Sequence, residues 1–218
     1  MKMKHINASI VLFFLLSCYG CAFFKTETEK TAEQLAEEGM KYFEKENYHK
    51  AIESFVKLKD RYPYKIELVT LAELKTADSY FFLEEYGESA SEYESFKSSH
   101  PRNEAIPYVI NQIALCFFNQ IDTVDRDQTP THQALNTFKR LIKQYPDDPA
   151  SVKAEDYIKQ CNQSLIGHEL YVANFYFKSK HYKTALNRFK NVLSFPDIDG
   201  SHENARKFIT ICEAKIPK

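Results

Sequence analysis

Ala134, Phe138 and Pro146 stand at i, i+4 and i+12, and the same spacing of small residue, aromatic and proline occurs at Ala51, Phe55 and Pro63. Ser89, Tyr93 and Pro101 repeat it with conservative exchanges, and Ala185 and Phe189 begin a fourth copy whose Pro196 comes one place early. An i, i+4 pair lies on one face of a helix, so each copy offers a small residue where a neighbouring helix can come close and an aromatic ring to fill the contact. Proline lacks an N–H and disfavours helical backbone in the residue before it, so each copy also carries its own stop. A chain built this way is a stack of like units rather than a single folded sheet.

A second set of positions precedes the first. Gly39 and Tyr42 lie twelve and nine residues before Ala51; Ala77 and Tyr80 precede Ser89, and Ala173 and Tyr176 precede Ala185, by the same intervals. Each unit therefore has two helices, joined by polar turns such as Glu46-Asn47 and Ser179-Lys180-His181 that are too short for anything but an antiparallel hairpin. The third copy departs: Ala114 and Phe117 hold the first-helix positions, but Ala134 follows Ala114 by twenty residues, which predicts an outer-loop insertion near 121–130. Asp122, Asp125 and Asp127 flank Arg126 there, without the glycine turn and terminal glutamate of a calcium-binding hand. After Pro146, Asp148 is placed to cap a helix with Pro149 in its first turn, and the helical pattern runs to about Gly167. A single helix from about 202 to 215 closes the chain. With only 5 glycines and 8 prolines in 218 residues, and no convincing alternation of apolar and polar residues, the expected fold is all-α. Twenty-nine basic residues against 30 acidic ones leave no electrostatic footprint for nucleic acid.

The first residues are of another kind. Lys2 and Lys4 precede the apolar run Ile10 to Leu16, which is far shorter than the roughly 20 residues of a permanent span and reads as an export signal. Its end resembles the lipobox of bacterial lipoproteins: Cys18 has Leu15 three places back, whereas Cys21 has the favoured Gly20 directly before it. The predicted division is thus a signal over 1–17, or to 20 if Cys21 is acylated, and a lipid-anchored polar tether over 18–31. The repeats follow over 32–218, an N-terminal set over 32–101 and a C-terminal set over 102–218. Neither cysteine is followed by the aspartate that typically retains such lipoproteins in the inner membrane, so the resemblance implies the periplasmic face of the outer membrane. Several acyl chains anchor stably without a spanning helix.

Catalytic and metal constellations do not assemble. His168-Glu169 opens like a zinc-protease helix, but Val172 stands where the second histidine belongs. Cys116, Cys161 and Cys212 read as small buried hydrophobes, with a Cys161–Cys212 bridge left open by an oxidising compartment. No enzyme activity, metal or cofactor is expected.

The two-helix consensus is similar to the tetratricopeptide repeat, which implies a solenoid of antiparallel helix pairs, about five repeats with the last one incomplete. Added to the lipoprotein signal, Asp60-Arg61-Tyr62-Pro63, the long third repeat running from Val124-Asp125-Arg126 through His132-Gln133-Ala134 to Pro146, and Asn187-Arg188 resemble the BamD family, also called YfiO or ComL. The resemblance implies a non-catalytic part of the machine that inserts β-barrels into the outer membrane. Its implied partners are unfolded β-barrel proteins, the periplasmic domains of BamA and the other lipoproteins of the machine. In tetratricopeptide proteins the groove positions alternate with packing positions on the first helices; here they hold Met40, Phe43, Leu74, Asp78, Phe81, Asn111, Leu115 and Phe118. Arg188 is expected to dock on BamA, and Arg126 to organise its own loop by pairing with Asp122 or Asp127. The other reading of the same fold and anchor is a periplasmic scaffold for pilus, secretin or cell-wall assembly.

Overall fold

The structure, a computed structural model, describes residues 29–217. The chain divides after Thr31 into a short leading unit and a helical body. The signal and tether, with Cys18 and Cys21, lie outside the described residues except for the non-helical stretch 29–31. Among the described residues the body consists of α1 (Ala32–Glu44), α2 (Tyr48–Arg61), α3 (Ile66–Phe82), α4 (Tyr86–Ser99), α5 (Ile106–Phe118), α6 (Thr129–Gln144), α7 (Pro149–Lys178), α8 (Tyr182–Val192) and α9 (Ser201–Lys215), with no strand. Each helix packs on the next, and α1 also meets α3, α5 meets α7 and α7 meets α9. Four helix pairs and a closing helix make an all-α tetratricopeptide solenoid.

The repeated residues carry the packing. Ala51 and Phe55, Ser89 and Tyr93, Ala134 and Phe138, and Ala185 and Phe189 are all completely buried, as are their first-helix counterparts Ala77, Ala114 and Ala173. Gly39 takes the equivalent place in the first unit because a Cβ there would lie 2.5 Å from the Phe55 ring. The second unit's exchanges bring hydroxyls into the core, and both are satisfied: Ser89 Oγ donates to the Ala77 carbonyl at 3.0 Å, and Tyr93 donates to Asp78 at 2.6 Å. Tyr62, His100 and Tyr145, each just before a proline, turn to extended φ near −130° and stop α2, α4 and α6.

The turns inside the pairs share one geometry. Glu46, Glu84 and Lys180 have left-handed φ of 57°, 60° and 63°. Their N–H groups donate to Phe43, Phe81 and Phe177, and the next residues' N–H groups donate to Tyr42, Tyr80 and Tyr176. This is the Schellman arrangement at a residue without glycine's freedom. Lacking it, the third pair opens into the stretch 119–128.

α7 runs unbroken through Gly167 for 30 residues, where the sequence suggests an end near that glycine. A Cβ on Gly167 would lie 2.9 Å from Val124 Cγ1, so this glycine serves a close approach rather than a stop. Asp148 caps the helix as expected, its carboxylate accepting from Ala150 N–H at 2.8 Å. Cys116, Cys161 and Cys212 are buried free thiols, so no Cys161–Cys212 bridge forms; the first two belong to the central apolar cluster and Cys212 to the C-terminal one. Burial raises the Cys116 and Cys161 thiols to about 11.

Candidate interaction surfaces on the first helices

Seven of the eight expected groove residues are half-buried on α1, α3 and α5. Met40 and Phe43 pack against the first-repeat core, and Leu74, Phe81, Leu115 and Phe118 against the central one. Asn111 reaches Gln112 at 3.5 Å. Phe118 meets Tyr157 of α7 edge to face at 4.8 Å, so α7 shares this row. Sequence reasoning missed Phe82, which is 53% exposed, stacks on Tyr48 at 5.1 Å and meets Phe43 at 5.8 Å. Its signal was available: it is an aromatic just before a hairpin turn, off the packing face.

Asp78 corrects the expectation. Only 2% exposed, it lies inside the stack rather than lining a groove. Its Oδ1 accepts from Tyr93 of α4 at 2.6 Å and Tyr108 of α5 at 2.8 Å, and its Oδ2 pairs with Lys75 at 2.8 Å. Gln112 Nε2 lies 3.5 Å from the Tyr93 hydroxyl, and Lys75 Nζ sits 4.7 Å above the Phe43 ring. A carboxylate in the interior is costly unless its lone pairs are filled, and here donors from three helices fill them. Burial, then the Asp78 charge, pushes both tyrosine hydroxyls well above their ordinary range.

The third-repeat insertion is fastened rather than loose. Gln128, 6% exposed, donates to the carbonyls of Thr123 and Arg126, while its own oxygen accepts from Thr131 and from Ser164 of α7. The Val124 side chain seats on Gly167, and its carbonyl lies 2.7 Å from His168 Nδ1. Gln128, Ser164, Gly167 and His168 were not singled out from sequence as holding the loop. Arg126 does not pair with Asp122 or Asp127. Instead Asp122 accepts from Thr123 N–H, Asp125 from the Thr123 hydroxyl, and Asp127 from Thr129, leaving the exposed guanidinium without an ion pair among the described residues. The Thr123 hydrogen bond holds the Asp125 carboxyl below its ordinary range.

Arg188, on α8, donates through Nη1 to both oxygens of Glu169 of α7, at 3.1 and 3.3 Å. Its Nε and Nη2 make no hydrogen bond among the described residues, and its side chain is 39% exposed. Among those residues no three His, Cys, Asp or Glu side chains gather as a metal would require, and no helix is long and apolar enough to cross a membrane.

Two relatives similar in sequence share one name. A BamD outer membrane protein assembly factor from Rickettsia prowazekii (strain Madrid E) is 30% identical across 98% of this chain and 92% of its own length. The one from Caulobacter vibrioides is 28% identical over 76% of this chain, which spans 54% of that relative's length. In fold alone, the TPR2AB domain of yeast Sti1, solved as a complex with pHSP90, is similar: TM-score 0.52 at 12% identity, over 84% of this chain and 70% of that one. The family model YfiO, described as an outer membrane lipoprotein, matches residues 28–209, and the chain belongs to that family.

Proposed function

We propose that this protein is a non-catalytic, lipid-anchored component of the outer-membrane β-barrel assembly machine, held at the periplasmic face through Cys18 or Cys21. Its relatives named as BamD assembly factors, one of them matched across nearly the whole of both chains, carry this reading. The N-terminal repeats, together with α5 of the third repeat, receive segments of unfolded β-barrel proteins. Half-buried Met40, Phe43, Leu74, Phe81, Leu115 and Phe118 supply apolar area, and Asn111 supplies a polar group for peptide backbone. Asp78 contributes by fixing the register of α3, α4 and α5 instead of touching substrate.

The C-terminal repeats dock on the periplasmic domains of BamA. Arg188 is favoured for this role because the Glu169 pair orients its guanidinium while leaving nitrogens free for a partner carboxylate. Arg126, exposed on a fastened loop, is the second candidate, and the other lipoproteins of the machine are further partners. No cofactor or nucleic acid enters this account.

The test is to crosslink intact cells, purify the protein from outer membranes and identify its partners by mass spectrometry. Recovery of BamA together with barrel precursors is the expected result. Recovery of pilus, secretin or cell-wall components without BamA would overturn the assembly role. In a direct titration with the BamA periplasmic domains, Arg188→Glu weakens binding; unchanged affinity would remove Arg188 from the interface.

A further inference from the structure

Ser164, His168, Tyr171, Phe175 and Lys178 recur at helical spacing along one face of α7. The protein covers the first part of this face itself: Val124 seats on Gly167, the Val124 carbonyl meets His168, and Gln128 meets Ser164. The next two turns are bare. Tyr171 is 51% exposed and Phe175 60%, while neighbouring Ala173 on the opposite side is completely buried. Two large aromatics at i and i+4, left open where the same face upstream is covered, are unusual for a helix that has already buried its packing side.

The charge around them indicates what would cover them. Along the sequence, residues 171–218 carry nine basic side chains and four acidic ones, of which Arg188 and Lys190 are already paired with Glu169 and Glu213. Lys178 follows Phe175 by one turn on the same face, exposed, and Lys180 follows in the left-handed turn. Glu169, the carboxylate of this part of α7, is turned to Arg188 on another side. The aspartates of the loop at the other end accept hydrogen bonds from Thr123 and Thr129, so the cationic end of the face is the Lys178 end. The loop's seat on Gly167 and His168 also shows how a segment binds here: a β-branched side chain on the helix and a backbone carbonyl toward the histidine.

We propose that Tyr171 and Phe175 form a docking site for an extended, acidic segment of a protein partner, laid along α7 as a continuation of the Val124 strap. Aliphatic side chains of that segment cover the two rings, and its carboxylates meet Lys178 and Lys180. The site is separate from the N-terminal groove and from Arg188, and it does not require the partner to be BamA.

The test uses the full-length lipoprotein in cells, with the photocrosslinker p-benzoylphenylalanine placed at Tyr171 or Phe175, and at Val152, 70% exposed on the same helix, as control. Crosslinked peptides are sequenced by mass spectrometry. The expected result is capture at 171 and 175, above the Val152 level, of one protein segment richer in acidic than basic residues. Lys178→Glu then lowers the Phe175 yield by about fivefold or more. Yields no higher than at Val152, capture of lipid, a second copy or a basic segment, or indifference to Lys178→Glu would each overturn the proposal. If the captured acidic segment belongs to a protein other than BamA, the site stands and its assignment to BamA docking does not.

Discussion

The first helices of the two halves share a skeleton and differ in what covers them. In α1, α3 and α5 the apolar residues proposed to receive substrate are half-buried against the core, and Asp78 locks three helices from within. In α7 the equivalent residues, Leu170, Asn174 and Phe177, are half-buried too, but a different face of that helix is partly strapped by the chain's own loop and otherwise carries the bare aromatics Tyr171 and Phe175. Charge differs as well: residues 32–120 hold sixteen acidic and ten basic side chains, residues 171–218 four acidic and nine basic. The repeat consensus specifies how helices stack and leaves the exposed positions free, so one scaffold supports two surfaces of different chemistry.

The largest test of this contrast is Asp78→Ala. It strands the buried Tyr93 hydroxyl and removes the carboxylate's hydrogen bonds from α4 and α5, and should lower stability by about 2–3 kcal/mol in denaturant unfolding. A loss comparable to that of an exposed carboxylate would mean that the N-terminal half is not held from within. On the other side, Gly167→Ala would ordinarily gain about 1 kcal/mol in a helix interior. Its methyl meets Val124, so the gain should appear only when Val124→Ala is also present. In the single variant, limited trypsin digestion after Arg126 should speed up as the strap lifts; equal digestion would show that the strap does not depend on this glycine.

Alkaline titration reads the burial of the central core. Burial raises Cys116 and Cys161 from 9.0 to about 11, so the folded state keeps their protons when the unfolded chain has lost them. The stability they contribute is complete below pH 9 and disappears as pH rises from 9 towards 11. A Cys116→Ala, Cys161→Ala variant should lose less stability over that interval, measured by urea midpoints at both ends. Smaller again, Glu46→Gly, Glu84→Gly and Lys180→Gly should each raise stability by about 0.5–1 kcal/mol, because all three turns hold a non-glycine residue in left-handed backbone. Gains in all three would show that the hairpin geometry is common to both halves.

The stacking was legible because its determinants recur: the small and aromatic positions, the prolines and the Asp148 cap all stand where spacing puts them. Asp78 was misplaced because helical period alone cannot show that Tyr93 and Tyr108, on other helices, supply its donors. The Val124 seat was invisible for a similar reason, since it joins an insertion to a glycine over forty residues away that reads locally as a helix stop. Arg126 makes no ion pair with Asp122 or Asp127, whose carboxylates accept from Thr123 and Thr129 instead, a local choice that spacing alone does not reveal.

The central claim is that the two halves carry separate binding surfaces, and simultaneous occupancy tests it most directly. The full-length protein in detergent would be saturated with the BamA periplasmic domains and then titrated with an unfolded β-barrel protein, following the mass of the complex. The account predicts a ternary complex in which neither ligand displaces the other; stoichiometric displacement of BamA by the barrel protein would contradict it.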